Sequence, residues 1–157
     1  MIPHCADFPG DRSATTITGH AKSSFSDGVD VIGSSSTVFK SDGDLDRYWA
    51  LTVRRRFASC DAKAYASTRR AGLTTKTLMA GQIPLRATGA QRAVAFRTIT
   101  RVSASGYRPL DWYQTVVFLR QGRALAAIKI GYVNQPCTCY TGLARRLAGR
   151  LVDASHG

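Results

Sequence analysis

From Asp111 to Val133 the chain reads DWYQTVVFLRQGRALAAIKIGYV, two runs of alternating side chains interrupted at Gln121-Gly122. Alternation with a period of two marks a strand, and glycine tolerates the positive φ that a tight hairpin turn needs. A turn centred on Gln121-Gly122 sets Leu119 opposite Ala124, Val117 opposite Ala126, Thr115 opposite Ile128 and Tyr113 opposite Ile130. These side chains share one nearly apolar face, which something must cover. The other face carries Trp112, Gln114, Val116 and Phe118 with Leu125, Ala127, Lys129 and Gly131, a mixed surface expected to be half exposed.

The rest of the chain supplies elements around this hairpin. Residues 1–16 are rich in Pro, Asp, Ser and Thr without a period and read as a loose arm, and residues 17–157 read as a single domain. Ile17 to Ser26 and Val29 to Phe39 are extended segments joined through the turn-forming cluster Ser26-Asp27-Gly28, with Gly33 placed to make a bulge. Ser41 sits as a helix N-cap with Asp44 at capping-box spacing, and Asp42, Asp44 and Asp46 lie where the helix dipole favours negative charge. Leu45, Trp49, Val53 and Phe57 recur every four residues with Cys60 three further on. That spacing predicts one helix with one buried stripe, ending near 63–67. Gly72 to Leu85 reads as a strand and a Gly-Gln-Ile-Pro bend. Gln91 to Ser103 alternates, with Ala93, Ala95, Arg97, Ile99 and Arg101 on a face predicted to meet solvent and Val94, Phe96, Thr98, Thr100 and Val102 on the other. After the hairpin, Asn134-Gln135-Pro136 ends the strand and Thr141 is placed to cap a last helix. There Leu143, Leu147 and Leu151 form one row, Ala144, Ala148 and Val152 the next, and Arg145, Arg146 and Arg150 point outward. The order ββαββββα predicts an α+β domain, an antiparallel sheet of about five to six strands with a central helix and a C-terminal helix packed on one face.

Charge changes the picture more than size does. The 157 residues carry 22 Lys+Arg against 10 Asp+Glu, a formal net charge of +12; 17 of the basic residues are Arg, and all ten acidic residues are Asp. Residues 1–46 sum to −4 and residues 47–157 to +16. Such a body attracts nucleic acid, anionic headgroups or acidic cell-wall polymer. Arginines on solvated faces account for the same composition without a partner, and Arg54-Arg55-Arg56 reads that way. No apolar run approaches the roughly 18 residues of a membrane span, so none is expected. The opening MIPHCADFPG lacks the apolar stretch of a signal peptide, consistent with a cytoplasmic protein or with one whose leader has been removed.

The sharpest chemistry lies in the four cysteines, Cys5, Cys60, Cys137 and Cys139. A C-x-C does not close comfortably on itself, so the expectation is that each member pairs elsewhere, one with Cys60 and the other with Cys5. An even count suits a disulfide-bearing exported domain. Two alternatives stand beside it: a zinc site from His4, Cys5, Cys137 and Cys139, and four reduced thiols with Cys60 in the core. Catalysis finds little support, and a small enzyme is the weakest of three readings. The histidines are His4, His20 and His156, the aspartates fall mostly in turns and helix starts, and no phosphate-binding loop, dinucleotide fingerprint, zinc-protease or nucleophile-elbow motif occurs. No cofactor or metal is expected. Tyr107, Arg108, Trp112, Tyr113 and Arg120 interleave aromatics with arginine, which suits stacking on nucleic acid, though without a recognised reading motif.

The segments VFKSDGDLDRYWALTVRRRFASC, QRAVAFRTI, WYQTVVFLRQGRALAAIKIGY and LARRLAGRL, in that order, resemble actinobacterial extracytoplasmic sensor-type domains. That group includes secreted or lipid-anchored proteins similar to the extracellular sensor domain of mycobacterial serine/threonine kinases. The likeness covers residues 17–154 and matches best at Cys60. It implies an antiparallel sheet with packed helices, a ligand groove and structural disulfides. The combined expectation is a non-enzymatic extracytoplasmic ligand-binding or sensor-type domain. Its partner would be a small molecule or anionic cell-envelope ligand, in a pocket between sheet and helix drawing on Trp49, Arg97, Tyr107, Trp112 and Tyr113. The competing expectation is a basic nucleic-acid-binding protein.

Overall fold

The computed structural model describes residues 16–27, 30–53, 56–67 and 72–156. Its elements are strands β1 (Ile17–Ser26) and β2 (Val31–Phe39), helices α1 (Asp42–Thr52) and α2 (Phe57–Ser67), strands β3 (Leu73–Ile83), β4 (Arg92–Ala104), β5 (Leu110–Gln121) and β6 (Ala124–Val133), and helix α3 (Tyr140–His156). The six strands form one antiparallel sheet in the order β1-β2-β6-β5-β4-β3. The α+β class and the C-terminal helix are therefore as the sequence indicated. Cys5 and His4, most of the 1–16 arm, Gly28, Val29, Arg54 and Arg55 lie outside the described residues.

Topology explains the layering. β2 sits second in the sheet and β3 at the far edge, so the α1–α2 connection between them has to cross the intervening strands. It does so over the front face, where Phe39, Leu45, Tyr48, Phe57, Ala58, Phe96, Val116, Phe118 and Leu125 make one buried core. Phe57 stacks at 5.0 Å on Phe96 and meets Phe118 edge-on at 4.9 Å. The hairpin face expected to be half exposed is thus covered over β4 and β5. On the opposite, back face, α3 lays Ala144, Ala148 and Leu151 against Ile83, Ala95, Val117, Leu119 and Ala126. The helices accordingly lie on both faces, not on one. The reason is visible in β4, where Ala95 and Phe96 are 0% and 2% exposed: consecutive side chains point to opposite faces, and both faces are apolar.

Local departures have local causes. The hairpin turn is Gly122-Arg123, with Gly122 at φ +50, one residue later than expected. Leu119 therefore pairs with Ala126, Val117 with Ile128 and Thr115 with Ile130, two positions from the expected partners. A shift of two leaves every side chain on its assigned face. Ser41 caps α1 as foreseen, accepting from the Asp44 N–H at 3.1 Å and donating to its carboxylate at 2.9 Å. The single long helix is instead two. Val53 keeps its bond to the Trp49 carbonyl at 2.8 Å but leaves helical geometry at φ −92, ψ 61. The β-branched pair Thr52-Val53 is where helix propensity is weakest in that run. Bulges fall at Ile17/Gly19 in β1 and Thr77/Met79 in β3, whereas β2 pairs without interruption through Gly33. Leu143 donates to the Cys139 carbonyl at 3.0 Å, so Cys139, and not Thr141, stands at the start of α3. Asn134, at φ +62, ends β6 by exchanging bonds with Asp111.

Candidate anion-binding groove

The α1–α2 pair covers the front face over β4 and β5 and reaches Leu125 of β6 and Phe39 of β2. Past them, around Lys129 on β6, Gly33 and Ser35 on β2, and Lys22 and Ser24 on β1, the same face is less covered. Cross-strand register puts Ala127, Ser35 and Lys22 in one row and Lys129, Gly33 and Ser24 in the next. These side chains line a shallow recess of about 490 Å³. The floor is built of small residues, and the two lysines stand on opposite sides of it, on β1 and β6 with β2 between. At about 4.8 Å per strand their backbones lie roughly 10 Å apart across the sheet. Neither ammonium forms an ion pair among the described residues.

On the helix-covered side, an acid stands close enough to Lys129 to feel its charge. Asp61 of α2 accepts a hydrogen bond from the buried Gln114 amide on β5. Its burial raises its carboxyl pKa above the ordinary value, against the pull of the Lys129 charge. At the upper end Trp112 lies with its ring directly over Gly131, where any side chain would meet it, and its indole N–H is buried without a hydrogen-bond partner among the described residues. At the lower end His20 Nδ1 lies 3.0 Å from the Thr37 hydroxyl. The arrangement offers two cationic clamps, hydroxyls on Ser24 and Ser35, and room above a floor without bulk. It suits an anion that also carries hydroxyl groups.

The five residues expected to line a pocket do not converge. Arg97 and Tyr113 share the back face. Arg97 Nε donates to the Thr115 hydroxyl at 3.1 Å, and the guanidinium stacks 5.4 Å from the centre of the Tyr140 ring. It thereby pins the first turn of α3, helped by the Tyr140 hydroxyl donating to the Pro84 carbonyl at 2.9 Å. Trp112 is on the front face at the end of the recess, Trp49 packs from α1 against the front core, and Tyr107 is 79% exposed at the β4–β5 turn. Sequence reading missed Lys22, Ser24, Gly33, Ser35, Ala127 and Lys129. Each of the three strands places small or polar residues at two successive same-face positions, but only the register between distant strands brings them together.

Elsewhere among the described residues, Arg47, Arg92, Arg101 and Arg120 form ion pairs. Arg101 grips Asp111 with two bonds of 2.8 and 2.9 Å, and the guanidinium holds the Asp111 carboxyl below the usual carboxylate range. Arg120, buried on β5, pairs with Asp46 of α1 and lowers its pKa likewise. Arg145, Arg146 and Arg150 are exposed on α3. Cys137 and Cys139 are joined to one another, contrary to the expectation of separate partners; their Cα atoms are 5.2 Å apart, an ordinary disulfide span. Cys60 is also disulfide-bonded, with its partner outside the described residues. No group of three or more His, Cys, Asp or Glu is placed to hold a metal among the described residues, and no described helix is long and apolar enough to cross a membrane. No protein-family model matches the chain, and no curated protein matches it in sequence.

Proposed function

We propose that this chain is a non-enzymatic, extracytoplasmic ligand-binding domain of the sensor type, and that its ligand is an anionic, hydroxyl-bearing component of the cell envelope. The observation that carries the reading is the pair of ammonium groups of Lys22 and Lys129, neither in an ion pair among the described residues, on opposite sides of a floor of Ser24, Gly33, Ser35 and Ala127. A phosphorylated or carboxylated sugar fills such a space with both charge and hydrogen bonds. Disulfide bonding at Cys60 supports an oxidising compartment.

The test is calorimetric titration with phosphorylated and carboxylated oligosaccharides, their neutral counterparts and a short oligonucleotide, on the wild-type chain and on Lys22→Glu/Lys129→Glu. Binding of the charged sugars, absent for the neutral ones and lost in the double variant, is expected. Equal binding by wild type and variant, or none at low salt, would refute the groove. A second reading, nucleic-acid binding, draws on the net charge of +12 and the exposed Arg145, Arg146 and Arg150. Oligonucleotide binding that survives the lysine reversal but is lost on replacing those three arginines would favour it.

A further inference from the structure

We propose that the Cys137–Cys139 bridge is a thiol–disulfide exchange centre and not a structural staple. The bridge spans a single residue, Thr138, so the loop it closes is among the shortest possible and removes little freedom from the unfolded chain. Nor is it needed to join β6 to α3, because Ala144 and Ala148 already pack that helix against Ala126 and Val117. Stability therefore does not explain the bridge. Accessibility suits another use, since Thr138 and Cys139 are exposed and Cys137 is half-buried.

Each sulfur has a donor beside it. The Cys139 N–H donates to Cys137 Sγ at 2.8 Å. The Tyr132 hydroxyl lies 3.6 Å from Cys139 Sγ, and Cys139 itself stands at the N-terminal, positive end of α3. Hydrogen-bond donors and a helix N-terminus both favour a thiolate over a thiol, and a stabilised thiolate is the better leaving group. An external thiolate attacks the exposed Cys139 sulfur and forms a mixed disulfide. The electron pair of the broken S–S bond leaves on Cys137, which the Cys139 N–H holds as thiolate. A second external thiolate then attacks the outer sulfur of the mixed disulfide and expels Cys139 as thiolate beside Tyr132. Two external thiols have become one disulfide, their two electrons have reduced the pair to a dithiol, and their two protons are free to protonate it. In reverse, the dithiol reduces a disulfide of its partner. The partner class is a thiol or disulfide, on a small molecule or on another polypeptide.

The full chain is equilibrated over graded ratios of reduced to oxidised glutathione, quenched with acid, alkylated and mapped by mass spectrometry. Cys137 and Cys139 are expected to become alkylable at a ratio about tenfold or more less reducing than the one that opens Cys60. Opening of both bridges together, or of Cys60 first, overturns the proposal. In a second arm the chain is added to a scrambled disulfide protein. Wild type is expected to speed its reactivation and Tyr132→Phe to do so several-fold more slowly. Cys137→Ser/Cys139→Ser is expected to have no effect on reactivation while keeping the wild-type urea midpoint. If the serine variant loses stability with the bridge, or if wild type exchanges with neither glutathione nor the protein faster than that variant, the bridge is a staple. Exchange with glutathione alone assigns the partner as a small thiol, and exchange with both extends it to polypeptides.

Discussion

Gly131 is the position where the sheet is least tolerant. A Cβ built there would fall 2.5 Å from Cη2 and 3.2 Å from Cε2 of Trp112, and closer still to Cζ2, where ordinary contacts run 3.4–4 Å. Gly131→Ala therefore obliges the indole to move by about an ångström, away from the strand it covers. Forcing a methyl into a packed contact costs about 1–3 kcal/mol. Alanine in a strand recovers some ~0.5–1 kcal/mol, because glycine loses more freedom on folding. The difference is a net loss of about 0–2.5 kcal/mol, centred near 1 kcal/mol, with each kcal/mol worth about 2–4 °C in Tm at this chain length. Urea denaturation followed by far-UV circular dichroism measures it, with Trp112→Leu and the double variant completing a cycle. Gly131→Ala is expected to cost markedly less in the Trp112→Leu background, with a coupling of about 0.5–3 kcal/mol. A cycle that is simply additive would show that the ring does not hold this place in solution.

Three further outcomes follow from the packing and charge. Asp61 holds its proton to higher pH when folded than when unfolded, so its stabilising contribution is complete below the ordinary value of 3.8 and is lost as pH rises through the folded value. Asp61→Asn should remove that fall in urea titrations across acid pH and, by deleting the negative charge beside Lys129, tighten anion binding in the groove; an unchanged profile would place the carboxylate in water. Asp46 and Asp111 act with the opposite sign, since Arg120 and Arg101 depress their pKa values: their contribution is present above 3.8 and is lost as pH falls through the folded values. The acid limb of thermal stability should flatten in Asp111→Asn, and its persistence would exclude the Arg101 pair as the cause. Ala148, 0% exposed between α3 and the sheet, leaves no room for Leu, and Ala148→Leu should destabilise by about 1–3 kcal/mol in the same denaturation assay; a neutral result would mean that α3 is not seated on the back face.

The elements were legible in the sequence wherever periodicity had a single cause. The β5–β6 faces, the alternation of β4, the Ser41 cap and the apolar rows of α3 follow from local spacing alone. What escaped depends on relations between distant segments. Alternation in β4 names two faces but not what covers each, so Arg97 reads as a solvent residue until α3 sets Tyr140 over it. The hairpin register turned on which two of Gln121, Gly122 and Arg123 form the turn, and hydrogen bonds from outside decide that: Arg123 accepts from Phe39 and donates to the Lys40 carbonyl, fixing the turn to the end of β2. The groove was the least legible feature. Its lysines are 107 positions apart and become neighbours only because β2 pairs with β6.

That pairing also governs the order in which the fold can be completed. Ser34 meets Ile128, so the inner edge of β2 keeps its hydrogen-bonding groups unmatched until almost the whole chain exists. Non-local closure of this kind is slow, and the waiting edge can template association with other chains. The serines of β2, between Gly33 and Thr37, make that waiting strand a poor template, since it has little apolar surface to share with a stranger. The residues that leave the groove floor bare thus also protect the nascent chain during the interval before its last strand arrives.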